Sequence, residues 1–243
     1  TPTDGGEAIF GDARSLYMSH CGRTECRVTE PTHGGMVNAG VSVGRYTGWI
    51  DTSDGSGSER DRAVASEQRL ATAFSHVFGG QEVQDIGWHA LIARQGELFG
   101  DQYTAASQYP LDWTVSRDLG NGMHCDDDGD RSFACWVSRN RPWSGRPVSR
   151  HWHLLFPRHG LVVTLVHGTW ISWDGVAQPH CTAVPAVASG DELYSAFCSI
   201  SAPTVTSLTR TNHCEVVMRE RVAQSSTVTH VFDTLRVGDR VFM

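Results

Sequence analysis

Three residues of the chain, His124, Asp126 and His180, have the types and spacing expected of a metal site. His124 and Asp126 form a His-x-Asp motif, and in an extended segment side chains two residues apart emerge on the same face. His180 follows Asp126 by 54 residues (180 minus 126) and would come from a separate strand. Two neutral imidazoles and one carboxylate on one face of an octahedron leave the opposite face open for dioxygen and a chelating cosubstrate. The pattern therefore predicts a mononuclear non-haem iron(II) site.

Other interpretations of these polar residues stay open. The acidic run from Asp126 to Asp130 is also compatible with a solvated loop or a calcium-type loop, and His180 with a packed histidine. Residues 151–153 read His-Trp-His, which matches the metal-binding pattern of HUH-type nucleases, and Tyr194 would then have to be the catalytic tyrosine. A jelly roll that only binds a ligand and takes up no iron is a further alternative.

Short β-strands are the elements that would position these side chains. One helix is predicted over residues 59–78, where apolar residues recur at helical spacing between a possible cap at Ser58 and a Gly-Gly stop. The later chain alternates β-type segments with turn residues, which is typical of a sandwich or jelly roll. Residues 1–6 are expected to be a flexible start. Strands are predicted at 88–93, 113–115, 133–137, 151–156, 161–166, 169–173 and 216–218, with a last pair within 235–242.

The segment around the third metal ligand resembles a known family. It runs through the strand-and-turn sequences 156–161, 163–169 and 171–175 to Pro179-His180-Cys181-Thr182. This order is similar to the double-stranded β-helix core of the iron(II)/2-oxoglutarate dioxygenase superfamily, where a strand that ends in a glycine turn precedes the strand with the distal histidine. In particular it resembles the TET/JBP branch, which oxidises the methyl group of modified bases in DNA.

The resemblance implies both a fold and an activity. The fold is mainly β, a double-stranded β-helix (jelly-roll or cupin-like) core with flanking helices. We expect one oxygenase domain over residues 1–243, with an N-terminal elaboration at 1–110, the core at 111–210 and C-terminal strands at 211–243. The activity is that of an Fe(II)-dependent, TET-like dioxygenase that modifies the methyl group of 5-methylcytosine in DNA. A 2-oxoglutarate oxygenase acting on a protein or a small molecule is the alternative.

One departure from the family concerns the cosubstrate. The superfamily usually carries an Arg or Lys some ten to fifteen residues after the distal histidine to bind the far carboxylate of 2-oxoglutarate, whereas this chain has no Arg or Lys between Arg158 and Arg210. In this respect it resembles the algal, vitamin C-dependent members of the TET branch. Either an arginine comes from another part of the chain, with Arg131, Arg139 and Arg210 as candidates, or the cosubstrate is not 2-oxoglutarate. We expect ascorbate, with 2-oxoglutarate as the alternative, and Asp128, Asp130 and Arg131 are the candidate binding residues.

A base inside a duplex must be flipped out to reach a metal held in a barrel, so the resemblance also implies a base pocket and contacts with the DNA backbone. His167, Trp173 and Asp174 are the candidates for the substrate pocket. An arginine-rich insertion between core strands is the candidate DNA-contacting segment. Its arginines are Arg139, Arg141, Arg146 and Arg150.

Composition limits the remaining classes of function. The formal charge is −7 and all twenty basic residues are arginine, which disfavours a nucleic-acid coat but allows a local arginine-lined groove. The seven cysteines are scattered without a CxxC pair, which favours reduced thiols inside the cell. No run of about 20 apolar residues predicts a membrane span. We therefore expect an intracellular monomer, in the nucleus if DNA is the substrate.

Overall fold

The computed structural model describes residues 5–20, 31–44, 48–51, 58–79, 92–93, 112–126, 131–138, 150–186, 192–199 and 216–217. It contains two long helices, α1 (Gly5–His20) and α2 (Ser58–Phe78). In α2, Val64, Ala71 and Phe74 are buried at helical spacing, and Gly79, with a φ of 75°, ends the helix. The helix predicted at 59–78 is therefore confirmed. Neither of these two described helices is long and apolar enough to cross a membrane.

Helix α1 was missed by the sequence reasoning, which expected a flexible start over residues 1–6. Gly5, Gly6 and Gly11 have low helix propensity and obscure the pattern. The helical signal lies one turn further on, where Ala13, Leu16 and Tyr17 recur at spacings of three and four residues and are buried. Burial of this face is what stabilises a helix that begins with two glycines.

Ten strands are described. Four of the predicted strand segments are confirmed with shifts of at most two residues at their ends, at β4, β5, β6 and β7, and the segment at 216–218 is confirmed as β10. The strand predicted at 113–115 is confirmed as β3, which continues six residues further, to Asn121. Residues 92–93, the described part of the strand predicted at 88–93, are helical, and the pair predicted within 235–242 lies outside the described residues. The strands are β1 (Pro31–Gly44), β2 (Gly48–Asp51), β3 (Asp112–Asn121), β4 (Arg131–Ser138), β5 (Trp152–Phe156), β6 (Leu161–Leu165), β7 (Thr169–Asp174), β8 (Cys181–Ala183), β9 (Leu193–Cys198) and β10 (Val216–Val217).

Contacts between Cα atoms divide the chain into two compact units. The first consists of Thr1–Asn38 and Trp113–Ser199, and the second of Ala39–Asp112 and Ile200–Met243. In the second unit, β2 pairs antiparallel with the end of β1 and parallel with β10. The expected single domain over residues 1–243 stays a prediction.

The first unit has the strand order of a double-stranded β-helix. In its larger sheet the neighbours are β3-β9-β4-β7, and a smaller sheet has the order β6-β5-β8. The segment at His124 bridges antiparallel to His180, just before β8. Along the chain, β3, β4, β7 and β9 therefore alternate with strands of the smaller sheet, so that two sheets wind around a common core. The fold class expected from the sequence is confirmed.

The hydrophobic core of this unit lies between the two sheets. Trp136 and Trp173 of the larger sheet pack with Trp152, Leu154 and Phe156 of β5. On its other face the larger sheet is covered by α1, where Tyr194 of β9 makes edge contacts with the rings of Phe10 and Tyr17. Burial on both faces explains why β4 is a nearly continuous apolar strand that lacks a clear alternation. We call the face toward the smaller sheet the inner face and the face toward α1 the outer face.

Candidate metal centre

The three predicted metal ligands meet at one end of the inner face. His124 and Asp126 follow β3, and His180 precedes β8. The backbone N–H of His124 donates to the carbonyl of His180 at 3.0 Å, and the reverse hydrogen bond measures 2.9 Å. Directly paired residues of an antiparallel bridge point their side chains to the same face. The bridge therefore places both imidazoles together, with their ring centroids 4.5 Å apart.

Asp126 completes the cluster between the two imidazoles. Its Oδ1 lies 3.4 Å from Nε2 of His124, and its Oδ2 lies 3.4 Å from Nε2 of His180. One ligand atom from each residue falls within 4.8 Å of the others, and among the residues in the described ranges this is the one group of three potential metal ligands. Adjacent donors of an octahedral ion with bonds of about 2.1 Å are about 3 Å apart. The two carboxylate–imidazole distances are close to this value, so the three side chains are near enough to hold one metal ion.

The hydrogen bonds of the two histidines fix the tautomer that a metal needs. Nδ1 of His124 is 2.9 Å from the carbonyl oxygen of Gly122, and Nδ1 of His180 is 2.9 Å from that of Gln178. Because a carbonyl can only accept, each Nδ1 carries the hydrogen and each Nε2 keeps its lone pair. Sequence reasoning missed both acceptors, since a backbone carbonyl leaves no signal in residue type.

Burial favours the neutral form of His180. The residue is 4% exposed, and its ring packs against those of Phe156 and Trp173 at centroid distances of 6.0 and 5.3 Å. Burial lowers the pKa of His180 below its ordinary value, against the opposing effect of the Asp126 carboxylate. At neutral pH the imidazole is therefore uncharged and available to a cation.

The carboxylate of Asp126 is supported by two residues that the sequence reasoning did not assign to the site. The backbone N–H of Asp126 donates to the carbonyl of Gly175 at 2.9 Å. Ser132 Oγ lies 3.4 Å from Oδ2 of Asp126, a long hydrogen bond. Ser132 immediately precedes the strand predicted at 133–137, and Gly175 ends the segment 171–175. Their approach to Asp126 depends on strand register and cannot be predicted from spacing along the sequence.

Among the predicted pocket residues, Trp173 lies beside the triad. It is on the inner face of β7, against His180, and its indole N–H is buried with no hydrogen-bond partner among the described residues. Asp174 is exposed and accepts a hydrogen bond from the backbone N–H of Ala177 at 2.8 Å. Arg131 pairs in register with Asp174, so both side chains emerge on the outer face, opposite to Ser132 and Trp173.

His167 lies away from the triad. Its Nδ1 is 2.8 Å from the carbonyl oxygen of Ser138, at the far end of β4 from Ser132, and six residues of strand span about 20 Å. Arg150 is described and exposed. The remaining predicted contacts, Asp128, Asp130, Arg139, Arg141 and Arg146, lie outside the described residues.

The geometry contradicts the nuclease interpretation of residues 151–153. Tyr194 lies in strand β9 and not in a helix, and its ring is buried on the outer face of the larger sheet beneath α1. His153 belongs to the smaller sheet, where Thr164 Oγ1 lies 3.4 Å from its Nδ1. The barrel core separates the tyrosine from the histidine, so they do not form one active site.

Comparisons with known proteins support the fold. No protein-family model and no curated protein matches the chain. Among solved structures it is similar to NgTET1 in complex with 5mC DNA, with a TM-score of 0.50 and 10% identity over 84% of this chain and 70% of that one. It also matches a Pseudomonas putida prolyl-4-hydroxylase, with a TM-score of 0.41 and 15% identity over 83% and 88% of the two chains. A Trichoplax adhaerens prolyl hydroxylase, solved with a hypoxia inducible factor peptide fragment, gives a TM-score of 0.41 and 14% identity over 84% and 82%. At 10% identity the likeness to NgTET1 concerns the fold, which is dioxygenase-like.

Proposed function

We propose that the chain is an Fe(II)-dependent dioxygenase that modifies the methyl group of 5-methylcytosine in DNA. The observation that carries the proposal is the His124, Asp126 and His180 triad at one end of a double-stranded β-helix. Two neutral imidazoles and one carboxylate on one face leave positions open for dioxygen and a cosubstrate. A bound Fe(II) would supply dioxygen activation and the oxidation of a C–H bond.

The residues of the chain would hold the reactants and exclude water. Nε2 of His124, Nε2 of His180 and the Asp126 carboxylate are the donors for the ion. Trp173 and Phe156 pack against His180 and make one side of the site apolar. The buried indole N–H of Trp173 is suited to donate to an oxygen atom of a bound ligand, because a buried donor without an acceptor costs about 1–3 kcal/mol.

Ascorbate is the proposed cosubstrate, with 2-oxoglutarate as the alternative. Strands β3 to β9 carry two arginines and no lysine, and the register puts both Arg117 and Arg131 on the outer face, where Arg117 forms an ion pair with Glu192 at 2.7 Å. The inner face instead offers neutral hydroxyls, with Ser116 and Ser195 hydrogen-bonded at 2.6 Å. A second carboxylate would have no bidentate cation on these strands, whereas an enediol with several hydroxyls needs none.

DNA is the proposed macromolecular partner, with the target base flipped out of the duplex. The arginines of the insertion at 139–150 are suited to phosphate contacts, and Arg150 is exposed. The fold is shared with NgTET1, which was solved with 5mC DNA. The chain would act as a monomer, in the nucleus.

The test is mass spectrometry of methylated DNA digested after incubation with the anaerobically reconstituted chain and then oxygen. Three reactions contain ascorbate, 2-oxoglutarate or neither. A modified base only in the reaction with ascorbate supports the proposal. A modified base only in the reaction with 2-oxoglutarate shows that 2-oxoglutarate, and not ascorbate, is the cosubstrate. No modified base in any reaction refutes the DNA substrate and favours a protein or a small molecule. His180→Ala is expected to abolish the product, while the matched variant His153→Ala retains it.

A further inference from the structure

The turn after β7 contacts two of the three metal ligands. The carbonyl of Gly175 accepts a hydrogen bond from the backbone N–H of Asp126 at 2.9 Å. The carbonyl of Gln178 accepts one from Nδ1 of His180, also at 2.9 Å. The turn is itself closed, since the N–H of Gln178 donates to the carbonyl of Asp174 at 3.1 Å. One short segment therefore fixes the backbone of Asp126 and the ring of His180 together.

Gly175 also leaves the space that the carboxylate fills. A Cβ added at Gly175 would overlap Oδ2 of Asp126, and it would lie 2.6 Å from Ser132 Oγ and 3.1 Å from Cβ of Asp126. The two contacts with oxygen atoms are shorter than a methyl group tolerates, and the contact with Cβ of Asp126 is tight. Gly175 is not among the glycines with a positive φ, so alanine can adopt its backbone conformation. The requirement for glycine here is one of space beside Asp126 and not one of chain conformation.

We propose that Gly175 and Ser132 together form the seat of the Asp126 carboxylate and act as positioning residues for the metal. The inference rests on the proposed function. Gly175 excludes any side chain from the space of Oδ2, and Ser132 donates to that same oxygen from the opposite strand. With Oδ2 held by these contacts, Oδ1 would be the oxygen left for a metal ion.

We expect Gly175→Ala to weaken metal binding while the protein still folds. The atoms that an alanine at position 175 would displace are mostly the ends of two movable side chains, the Asp126 carboxylate and the Ser132 hydroxyl. The fold can therefore accept the methyl group by rotating the carboxylate out of place. Substitutions of residues that orient metal ligands typically weaken metal binding by about 10- to 100-fold.

The experiment is anaerobic titration of Fe(II) into the 243-residue chain, with thermal unfolding of the metal-free protein and visible absorption of the Co(II) form. Gly175→Ala is expected to lower Fe(II) affinity by about 10- to 100-fold. It should change the Co(II) spectrum and shift the unfolding temperature of the metal-free protein by no more than about 3 °C. Gly11→Ala is the matched control, because an added Cβ there meets no atom within 4 Å.

Ser132→Ala provides a second and smaller perturbation. Loss of one hydrogen bond to the carboxylate is expected to lower Fe(II) affinity by about 2- to 10-fold. Its control is Ser172→Ala on the adjacent strand, since Ser172 Oγ is buried with no partner among the described residues. If Gly175→Ala does not fold, the comparison of Ser132→Ala with Ser172→Ala tests the positioning role by itself.

Two results would overturn the inference. One is Fe(II) binding by a folded Gly175→Ala with the affinity of the unsubstituted chain, and the other is equal affinity of Ser132→Ala and Ser172→Ala. The proposed function fails differently: an unsubstituted chain that binds no Fe(II) refutes it, and the inference with it. If the unsubstituted chain and the Gly175→Ala variant bind Fe(II) equally well, only the positioning role of Gly175 and Ser132 is refuted.

Discussion

Replacement of Asp126 by asparagine is expected to remove most of the thermal stabilisation that a metal gives the protein. Asparagine has the same shape, so packing and the contact with Ser132 are kept and only the charge is lost. The Asp126 side chain is 17% exposed, where an effective dielectric constant of about 20 applies. Two unit charges 4 Å apart then attract by about 4 kcal/mol. Loss of the carboxylate charge beside a divalent ion should therefore weaken binding by at least about 100-fold, or about 2.8 kcal/mol.

This loss of affinity translates into a measurable temperature shift. At a metal concentration 100 times the Kd, the unsubstituted chain gains about 2.7 kcal/mol of stability, or roughly 5–11 °C for a protein of this size. Asp126→Asn at the same concentration would be near its own Kd, gain about 0.4 kcal/mol and shift by about 1 °C.

The assay is anaerobic differential scanning calorimetry with and without Fe(II). Asp61→Asn, on the exposed side of α2, is the control and should keep the full shift. An equal metal-dependent shift in Asp126→Asn and in the unsubstituted chain would refute the reasoning, because the stabilising metal would then lie elsewhere.

Three other side chains give separate tests. Trp173→Phe keeps the packing against His180 but removes the buried N–H, so anaerobic titration should show ascorbate binding weakened by about 5- to 10-fold; unchanged affinity would contradict the proposed donor. Burial raises the pKa of Asp118, so the charged carboxylate disfavours folding as pH rises through that pKa. Asp118→Asn should therefore raise the unfolding temperature at pH 7, with an advantage that shrinks as the pH is lowered to 4, and a lower unfolding temperature at pH 7 would count against this. Complete burial raises the pKa of the Cys135 thiol to about 12, whereas Cys125 is exposed. Iodoacetamide should accordingly alkylate Cys125 in the native protein and Cys135 only after unfolding, as peptide mass spectrometry would show; native labelling of Cys135 would disprove this burial.

The sequence was sufficient where side-chain chemistry and short-range spacing carry the information. His124 and Asp126 share a face because they are two residues apart. His180, which bridges to His124, was assigned through the family resemblance of the segment before it, since no strand was predicted there. Helix α2 has its apolar residues at regular spacing and was found to within one residue of its start.

Features that depend on tertiary contacts were missed. Strand β9 was not predicted, because burial on both faces of the sheet removes the alternation that identifies a strand. Ser132 and Gly175 meet Asp126 only through the pairing of β4 with β7, in which Ser132 lies opposite Trp173. The tautomers of both histidines depend on carbonyls of Gly122 and Gln178, which any residue type would supply.

The larger sheet presents no arginine of its described strands β3, β4, β7 and β9 on the inner face, where a cosubstrate carboxylate would need one. Arg131 was a candidate for the cosubstrate, but it emerges on the outer face together with Asp174. A substitution that introduces an arginine on the inner face, such as Ser195→Arg, would supply the cation that these strands lack.

The central claim is that three side chains hold one ferrous ion, and anomalous diffraction at the iron edge tests it most directly. Crystals grown anaerobically with Fe(II) should show one anomalous peak within about 2.0–2.3 Å of Nε2 of His124, Nε2 of His180 and an oxygen of Asp126. A peak at any other group of residues, or none beside these three in crystals that contain stoichiometric iron, would contradict the account.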